Sequence, residues 1–118
     1  MTLESRTLRV LEYDKVRAMV AERASSSLGK EIAGALEPST NSAEIARRQQ
    51  ETSEARAILR GGKTFPLGGI HDLRESLAQA ARESSLDPGQ FLDIADTIYA
   101  AGRLKKFLLE MKADYPLL

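Results

Sequence analysis

The segment Gly62-Lys63-Thr64 has the residue types of a phosphate-binding loop, in which glycine N–H groups and a lysine surround phosphate oxygens. The full motif, G-x-x-x-x-G-K-[ST], requires a glycine at position 57, where this sequence has Ala57. A phosphate-binding loop also follows a strand and opens a helix, whereas a helical pattern precedes this segment and Pro66 follows it. We therefore interpret the Gly61-Gly62 pair as a helix stop and predict no nucleotide site here.

His71 is the only histidine and immediately precedes Asp72. A general base needs a partner in a fixed position, and the sequence has no G-x-S-x-G element to supply a serine nucleophile. Asp93 and Asp96 share a helical face, which we interpret as solvated. With one histidine and no cysteine, a transition-metal site is not expected. We predict no catalytic, cofactor or metal residues, and a structural role for His71.

Composition excludes several classes of function. The 17 Lys and Arg residues balance 17 Asp and Glu residues, so no global field attracts nucleic acid or a membrane surface. The absence of cysteine excludes disulfides. The start of the sequence lacks the apolar run of a signal peptide, and no stretch of about 18 apolar residues is present to span a bilayer. We expect a cytoplasmic protein without a membrane partner.

Apolar residues recur every three to four positions and never alternate, which predicts an all-α protein of about five helices packed as an antiparallel bundle. The first helix is expected to end near Arg23. The others are expected at about 28–36, 41–60, 72–82 and 88–112.

Three segments have the spacing of a capping box, in which a cap side chain and a residue three positions later each bond the other's backbone. The predicted cap pairs are Asn41 with Glu44, Asp72 with Glu75, and Asp87 with Gln90.

The spacing also predicts which residues face inward. These are Leu8, Leu11, Val16, Met19 and Val20; Ile45, Thr52, Ala55, Ile58 and Leu59; Leu73, Leu77 and Ala80; and Phe91, Ile94, Ala95, Ile98, Ala101, Leu104, Phe107, Leu108 and Met111.

Two short basic runs are the candidate contacts for nucleic acid: Arg47 with Arg48, and Arg103 with Lys105 and Lys106. Acidic residues adjoin both runs, and no aromatic side chains are interleaved with them to stack on bases. A solvated helix face is therefore the preferred interpretation. Glu44 with Arg48 and Arg47 with Glu51 are expected to pair along one helix.

The sequence ends on the apolar stretch 114–118, whereas chain termini are usually polar. We expect residues 1–118 to be one helical module and a fragment of a longer chain. Because the residues offer no catalytic constellation, such a module would scaffold or bind.

An ordered set of segments resembles the N-terminus of the second bacterial MutS-like family. The first are T-L-R-V-L-E-Y-D-K-V at 7–16, S-S-L-G-K-E-I-A at 26–33 and L-E-P-S-T at 36–40. Q-E-T-S-E-A at 50–55 and P-L-G-G-I-H-D-L at 66–73 follow, then L-D-I-A-D-T-I at 92–98 and R-L-K-K-F-L at 103–108.

The resemblance implies the start of the helical core, or lever, domain of a dimeric ATPase and endonuclease with a small MutS-related nuclease domain. Family members use ATP and Mg²⁺, bind structured DNA and suppress recombination, and some split collided ribosomes. The implied partners are the rest of the parent chain, a second copy of it, DNA and the ribosome. The fragment itself is expected to carry no catalysis. The alternative is a free-standing helical adaptor that binds a protein through the 91–111 face.

Overall fold

The computed structural model describes residues 4–118, and its regular structure is entirely helical over that range. Residues 1–3, which are part of the stretch inspected for a signal peptide, lie outside the described residues. The helices are α1 (Ser5–Val10), α2 (Tyr13–Arg23), α3 (Ser27–Gly34), α4 (Ser42–Arg60), α5 (Arg74–Ala81) and α6 (Pro88–Met111). The predicted all-α class is confirmed.

The expected first helix is divided in two, which corrects the predicted count of five. Leu11 ends α1, and Glu12 adopts a left-handed conformation with φ 53°. The Glu12 carbonyl then accepts from the N–H groups of Lys15 and Val16, and so starts α2. Neither glycine nor proline stands at the break, so no sequence signal indicates it.

Two of the three predicted caps form. Asp87 Oδ1 accepts from Gln90 N–H, and Gln90 Oε1 accepts from Asp87 N–H, so that capping box is confirmed. Asn41 Oδ1 accepts from Glu44 N–H at 3.1 Å. Glu44 does not complete the box, because its carboxylate bonds Ser39 Oγ and the Asn41 N–H donates to the same hydroxyl.

The cap predicted at Asp72 and Glu75 is wrong. Leu73 occupies the N-cap position of α5 and makes no side-chain cap bond. Asp72 Oδ1 accepts from Arg74 N–H, two residues on, and both of its oxygens also bond the Arg74 guanidinium. The arginine therefore takes the carboxylate that would otherwise cap the helix.

The buried core is small and lies where α4, the 61–73 segment and α6 meet. Ile58 on α4 is 2% exposed, while Ala100 and Met111 on α6 are 0% and 7% exposed. The rings of Phe65 and Phe107 lie 5.2 Å apart between their centroids and join the connecting segment to α6. Ala33 on α3 is the other buried hydrophobic residue of the described chain.

Several residues predicted to face inward are exposed instead. On α6, Ile94, Leu104, Phe107, Leu108 and Met111 are buried or half-buried as predicted. The exposed residues are Leu11, Val16, Met19, Val20, Thr52, Leu59, Leu77, Ala80, Phe91, Ala95, Ile98 and Ala101. The inward orientation predicted from their spacing is wrong, because these helices carry apolar residues on more than one face. Which face is buried depends on what packs against the helix.

The molecule is open. Its accessible surface is 9200 Å², against about 6,300 Å² for a compact protein of this mass. Its radius of gyration is 17.9 Å, against about 13.5 Å for a compact domain of 118 residues. Close helix–helix packing is concentrated between α2 and its neighbours α1 and α3. The predicted antiparallel bundle is therefore not confirmed. No helix within residues 4–118 has the length and apolar character needed to cross a bilayer.

Replacement of Ile58 by Ala tests the small core. We expect a loss of about 2–5 kcal/mol in the free energy of unfolding, because a buried isoleucine leaves a cavity. Urea denaturation followed by far-ultraviolet circular dichroism measures the loss. The matched control is Leu59→Ala, one residue along the same helix but 55% exposed, for which we expect less than about 1 kcal/mol. Equal losses from the two variants would contradict this assignment of the core.

Candidate functional site

Gly62 ends α4, and its N–H is bonded within the helix end. It has φ 82°, a left-handed conformation that favours glycine. Its N–H donates to the Leu59 carbonyl, and the Lys63 N–H donates to that of Ile58, the two bonds of a Schellman helix end. The Lys63 ammonium lies 3.9 Å from the Met111 sulfur. The interpretation of this segment as a helix stop is confirmed.

The second half of the segment binds α6 through its backbone. The His71 N–H donates to Thr97 Oγ1 at 3.1 Å, and the Gly68 carbonyl accepts from the Arg103 guanidinium at 3.3 Å. Gly69 has φ 84°, and a Cβ placed there would lie 3.5 Å from the Ala100 Cβ. That separation is ordinary van der Waals contact, so the backbone conformation is what requires glycine.

The structure brings His71 together with Asp93 and Asp96, a pair that the sequence did not connect to the histidine. The His71 imidazole lies between the two α6 carboxylates, with Nδ1 3.8 Å from Asp93 and Nε2 3.5 Å from Asp96. All three side chains are more than one-third exposed. We call His71, Asp93, Asp96 and Thr97 the histidine clasp.

The clasp is better suited to holding the segment than to chemistry. Its two carboxylates stand beside opposite ring nitrogens, so they cannot join the imidazole around one metal ion. Within residues 4–118 no group of three His, Cys, Asp or Glu side chains is arranged so that it could hold a metal ion. The Thr97 hydroxyl already donates to the Asp93 carbonyl at 2.8 Å and accepts from His71, so it is not poised as a nucleophile.

A second polar junction ties α3 to the start of α5. The Arg74 guanidinium lies 2.7 Å from a carboxylate oxygen of Glu31 and 2.7 Å from one of Asp72. Hydrogen bonds from Arg74 lower the pKa of both carboxyl groups below their usual range. The same bonds, that to Asp72 first, raise the pKa of Arg74. Sequence analysis missed the Glu31 contact because no spacing rule links residues 43 positions apart.

The basic run on α4 is paired along its own helix. Arg47 lies 3.1 Å from Glu51, and Arg48 lies 2.7 Å from Glu44, which confirms both predicted pairs. These ion pairs offset the charge that a phosphate backbone would attract.

The three residues of the basic run on α6, Arg103, Lys105 and Lys106, differ in their contacts. The Arg103 guanidinium lies 5.4 Å from the centroid of the Tyr99 ring and also bonds the Gly68 carbonyl. Lys105 and Lys106 have no hydrogen-bond or ion-pair partner within residues 4–118. Contact of these residues with nucleic acid stays a prediction.

Glu54 makes a long-range structural contact that was not predicted from the sequence. It is 6% exposed, and its Oε2 accepts from the Leu117 N–H at 3.0 Å. The bond fixes the 112–118 segment beside α4. A glutamate on a polar helix gives no sequence signal for this role, because polar helices are usually solvated.

The fixed segment forms one wall of an apolar groove of about 420 Å³ along the C-terminal half of α6. Leu104, Leu108 and Leu109 line the helix side, and Pro116 and Leu118 line the other. Lys105 and Lys112 also border it. We call this feature the α6 groove.

Three curated relatives, all named endonuclease MutS2, resemble the chain over nearly its whole length. The protein of Symbiobacterium thermophilum is 49% identical over 110 residues, which are 93% of this chain and 14% of that protein. Those of Alkaliphilus oremlandii and a Geobacillus strain are 43% and 47% identical over 118 and 117 residues, or 98% and 97% of this chain.

The chain is thus similar to MutS2 endonucleases. It spans only 14% to 15% of the length of these MutS2 relatives. No family model matches it. The resemblance to MutS-like proteins expected from the sequence is confirmed at this level.

The clasp can be tested by replacing Thr97 with Val, which removes the acceptor of the His71 N–H. We expect a loss of about 1 kcal/mol or more in the free energy of unfolding, because a part-buried donor is left unpaired. Urea denaturation measures the loss, and hydrogen exchange at the His71 amide should accelerate. Thr52→Val is the matched control. Both threonine hydroxyls donate to the backbone carbonyl four residues earlier, but only that of Thr97 also accepts from a distant N–H group. Equal effects would rule out a tertiary role for Thr97.

The Glu31–Arg74 pair should make stability depend on pH. Because the pKa of Glu31 is lowered from its usual 4.5 in the folded chain, its contribution is present above that value and is lost as the pH falls through the lowered one. We expect Glu31→Gln to lower the melting temperature slightly at pH 7. The difference from the unmodified chain should shrink as the pH falls below 4.5 and through the lowered pKa of Glu31. Glu75→Gln, on the neighbouring α5 and without the predicted cap bond, should have no such effect. A difference that grows towards low pH would contradict the assignment.

Proposed function

We propose that this chain is the start of the helical core, or lever, of a MutS-like ATP-dependent endonuclease that binds DNA. In this proposal the parent protein suppresses recombination or splits collided ribosomes, and residues 1–118 form one module without catalysis of their own. ATP and Mg²⁺ are bound elsewhere in the parent, which acts as a dimer.

The observation that carries the proposal is the relation between identity and length. Relatives named endonuclease MutS2 match 93% to 98% of this chain at 43% to 49% identity, but the match occupies 14% to 15% of each relative. A piece of a larger assembly should also expose surface that the rest of the assembly covers. The accessible surface of 9200 Å² is consistent with that expectation.

The geometry of α6 supports a mechanical role. Its 24 residues give a rod about 36 Å long. The rod contacts the 61–73 segment at two places, through Thr97 near its middle and through Phe107 in its C-terminal half. The Glu54–Leu117 bond ties the chain that follows the rod to α4. A helix attached to one segment at two separate places moves with that segment as a rigid body.

A second candidate is the free-standing adaptor, in which the outer face of α6 binds another protein. The favouring observation is that Phe91, Ile98 and Tyr99 are 59%, 67% and 69% exposed on one helix. Large exposed apolar patches mark interaction sites. The first proposal predicts that the coding sequence continues beyond residue 118, and the adaptor proposal predicts that it stops there.

The experiment determines the coding sequence downstream of residue 118 and compares the activities of the full-length protein and of the 118-residue chain. We expect the reading frame to continue into a strand, a G-x-x-x-x-G-K-[ST] loop and a helix. The full-length protein should hydrolyse ATP and nick branched DNA, while the 118-residue chain should do neither above background. A stop codon after Leu118 would favour the adaptor, and activity in the purified 118-residue chain would contradict the absence of catalysis.

A further inference from the structure

The α6 groove has the lining and the length of a binding site for a helix. Its α6 wall is lined by residues spaced three and four apart, the spacing of one helical face. They are Ala101, Leu104, Lys105, Leu108, Leu109 and Lys112. The 11 steps between the first and last of them span about 16 Å, which is three turns of a docked helix. Amphipathic helices bind in apolar grooves of this kind.

The opposite wall of the groove is held in place by hydrogen bonds. The Tyr115 N–H donates to the Met111 carbonyl at 2.8 Å, which turns the chain back at the end of α6. The bond from the Leu117 N–H to the buried Glu54 then fixes the segment that carries Pro116 and Leu118. The groove is therefore formed before anything occupies it, which lowers the entropic cost of binding.

Charge on the border selects the kind of helix that fits. Lys105 and Lys112 stand two turns apart, and neither has an ion-pair partner in the part of the chain that the structure describes. Glu110 and Asp114, the nearest acidic residues in sequence, do not line the groove. The groove thus favours an amphipathic helix with carboxylates beside its apolar face.

We infer that the α6 groove binds an acidic amphipathic helix from the parent chain beyond Leu118. The inference rests on the proposed function. Leu118 itself lines the groove, so a continuing polypeptide begins at the groove wall and needs only a turn to enter it. The relatives are several times longer than this chain, which leaves ample length for such a helix.

A covalently linked helix is favoured over one from a second copy. A short linker gives an effective concentration in the millimolar range, far above that of a separate protein in a dilute solution. The surface in excess of a compact protein, roughly 3,000 Å², is more than the roughly 800 Å² that one partner buries in a standard interface. One helix in the groove accounts for part of that excess.

Hydrogen exchange of the full-length protein, compared with the 118-residue chain, tests the inference. Amides of residues 104–112 should exchange about tenfold or more slowly in the full-length protein, because the covered helix opens less often. The fluorescent probe 8-anilinonaphthalene-1-sulfonate, which is apolar and anionic, should bind the 118-residue chain at the groove. Leu109→Glu should reduce that fluorescence and retain the helical circular dichroism.

In the full-length protein, Leu109→Glu should return the exchange of residues 104–112 towards that of the 118-residue chain, and Leu109→Met should restore protection. The matched control is Leu92→Glu, at a similarly exposed leucine of α6 outside the groove, which should leave the region protected.

Exchange as fast in the full-length protein as in the 118-residue chain would overturn the inference. Protection that is lost on dilution would overturn it too, because the occupant would then be a second copy. Either result leaves the proposed function intact, since that depends on the reading frame and the activities of the parent.

Discussion

The arrangement of the C-terminal half depends on the packing of the 61–73 segment against α6. Gly69, in a left-handed conformation, brings the backbone against Ala100, which is 0% exposed. The His71 N–H and the Gly68 carbonyl are then satisfied by side chains of α6. Since α4 runs directly into this segment, the same contact sets the position of α4 relative to α6.

Around that contact the protein buries little. Ile58 on α4 and Met111 on α6 are buried, while Phe91 and Ile98 remain largely exposed on the outer face of α6. Hydrophobic stabilisation is proportional to the apolar area removed from water, so a chain this open gains less of it than a compact domain does. The exposed apolar surface and the α6 groove are both consistent with a module that completes its packing against other parts of a larger protein.

Polar contacts determine several of the long-range relationships. Arg74 joins α3 to α5 through Glu31, and Glu54 joins α4 to the last residues of the chain through Leu117. Each links residues more than 40 positions apart. In this open structure such contacts link helices that share few apolar neighbours.

Local signals were predicted well from the sequence. The capping box of Asp87 and Gln90, the glycine stop at Gly62 and the ion pairs of Arg47 and Arg48 all involve residues within a few positions of each other. Their geometry follows from the helical backbone itself. The cap predicted at Asp72 was wrong because Arg74, held by distant Glu31, bonds that carboxylate instead.

The inward faces and the candidate site required the tertiary structure. Thr52 and Leu59 on α4 were expected inside and are exposed, while Glu54 on the same helix is buried. Likewise, the sequence presented His71 and the Asp93–Asp96 pair as unrelated features, and the fold placed them together. The sequence by itself determined the helical class, most of the helix ends and the resemblance to MutS-like proteins, because these depend on local backbone chemistry and on residue order. Only the tertiary structure decided which faces are covered and which distant polar groups meet, because both depend on what packs against each helix.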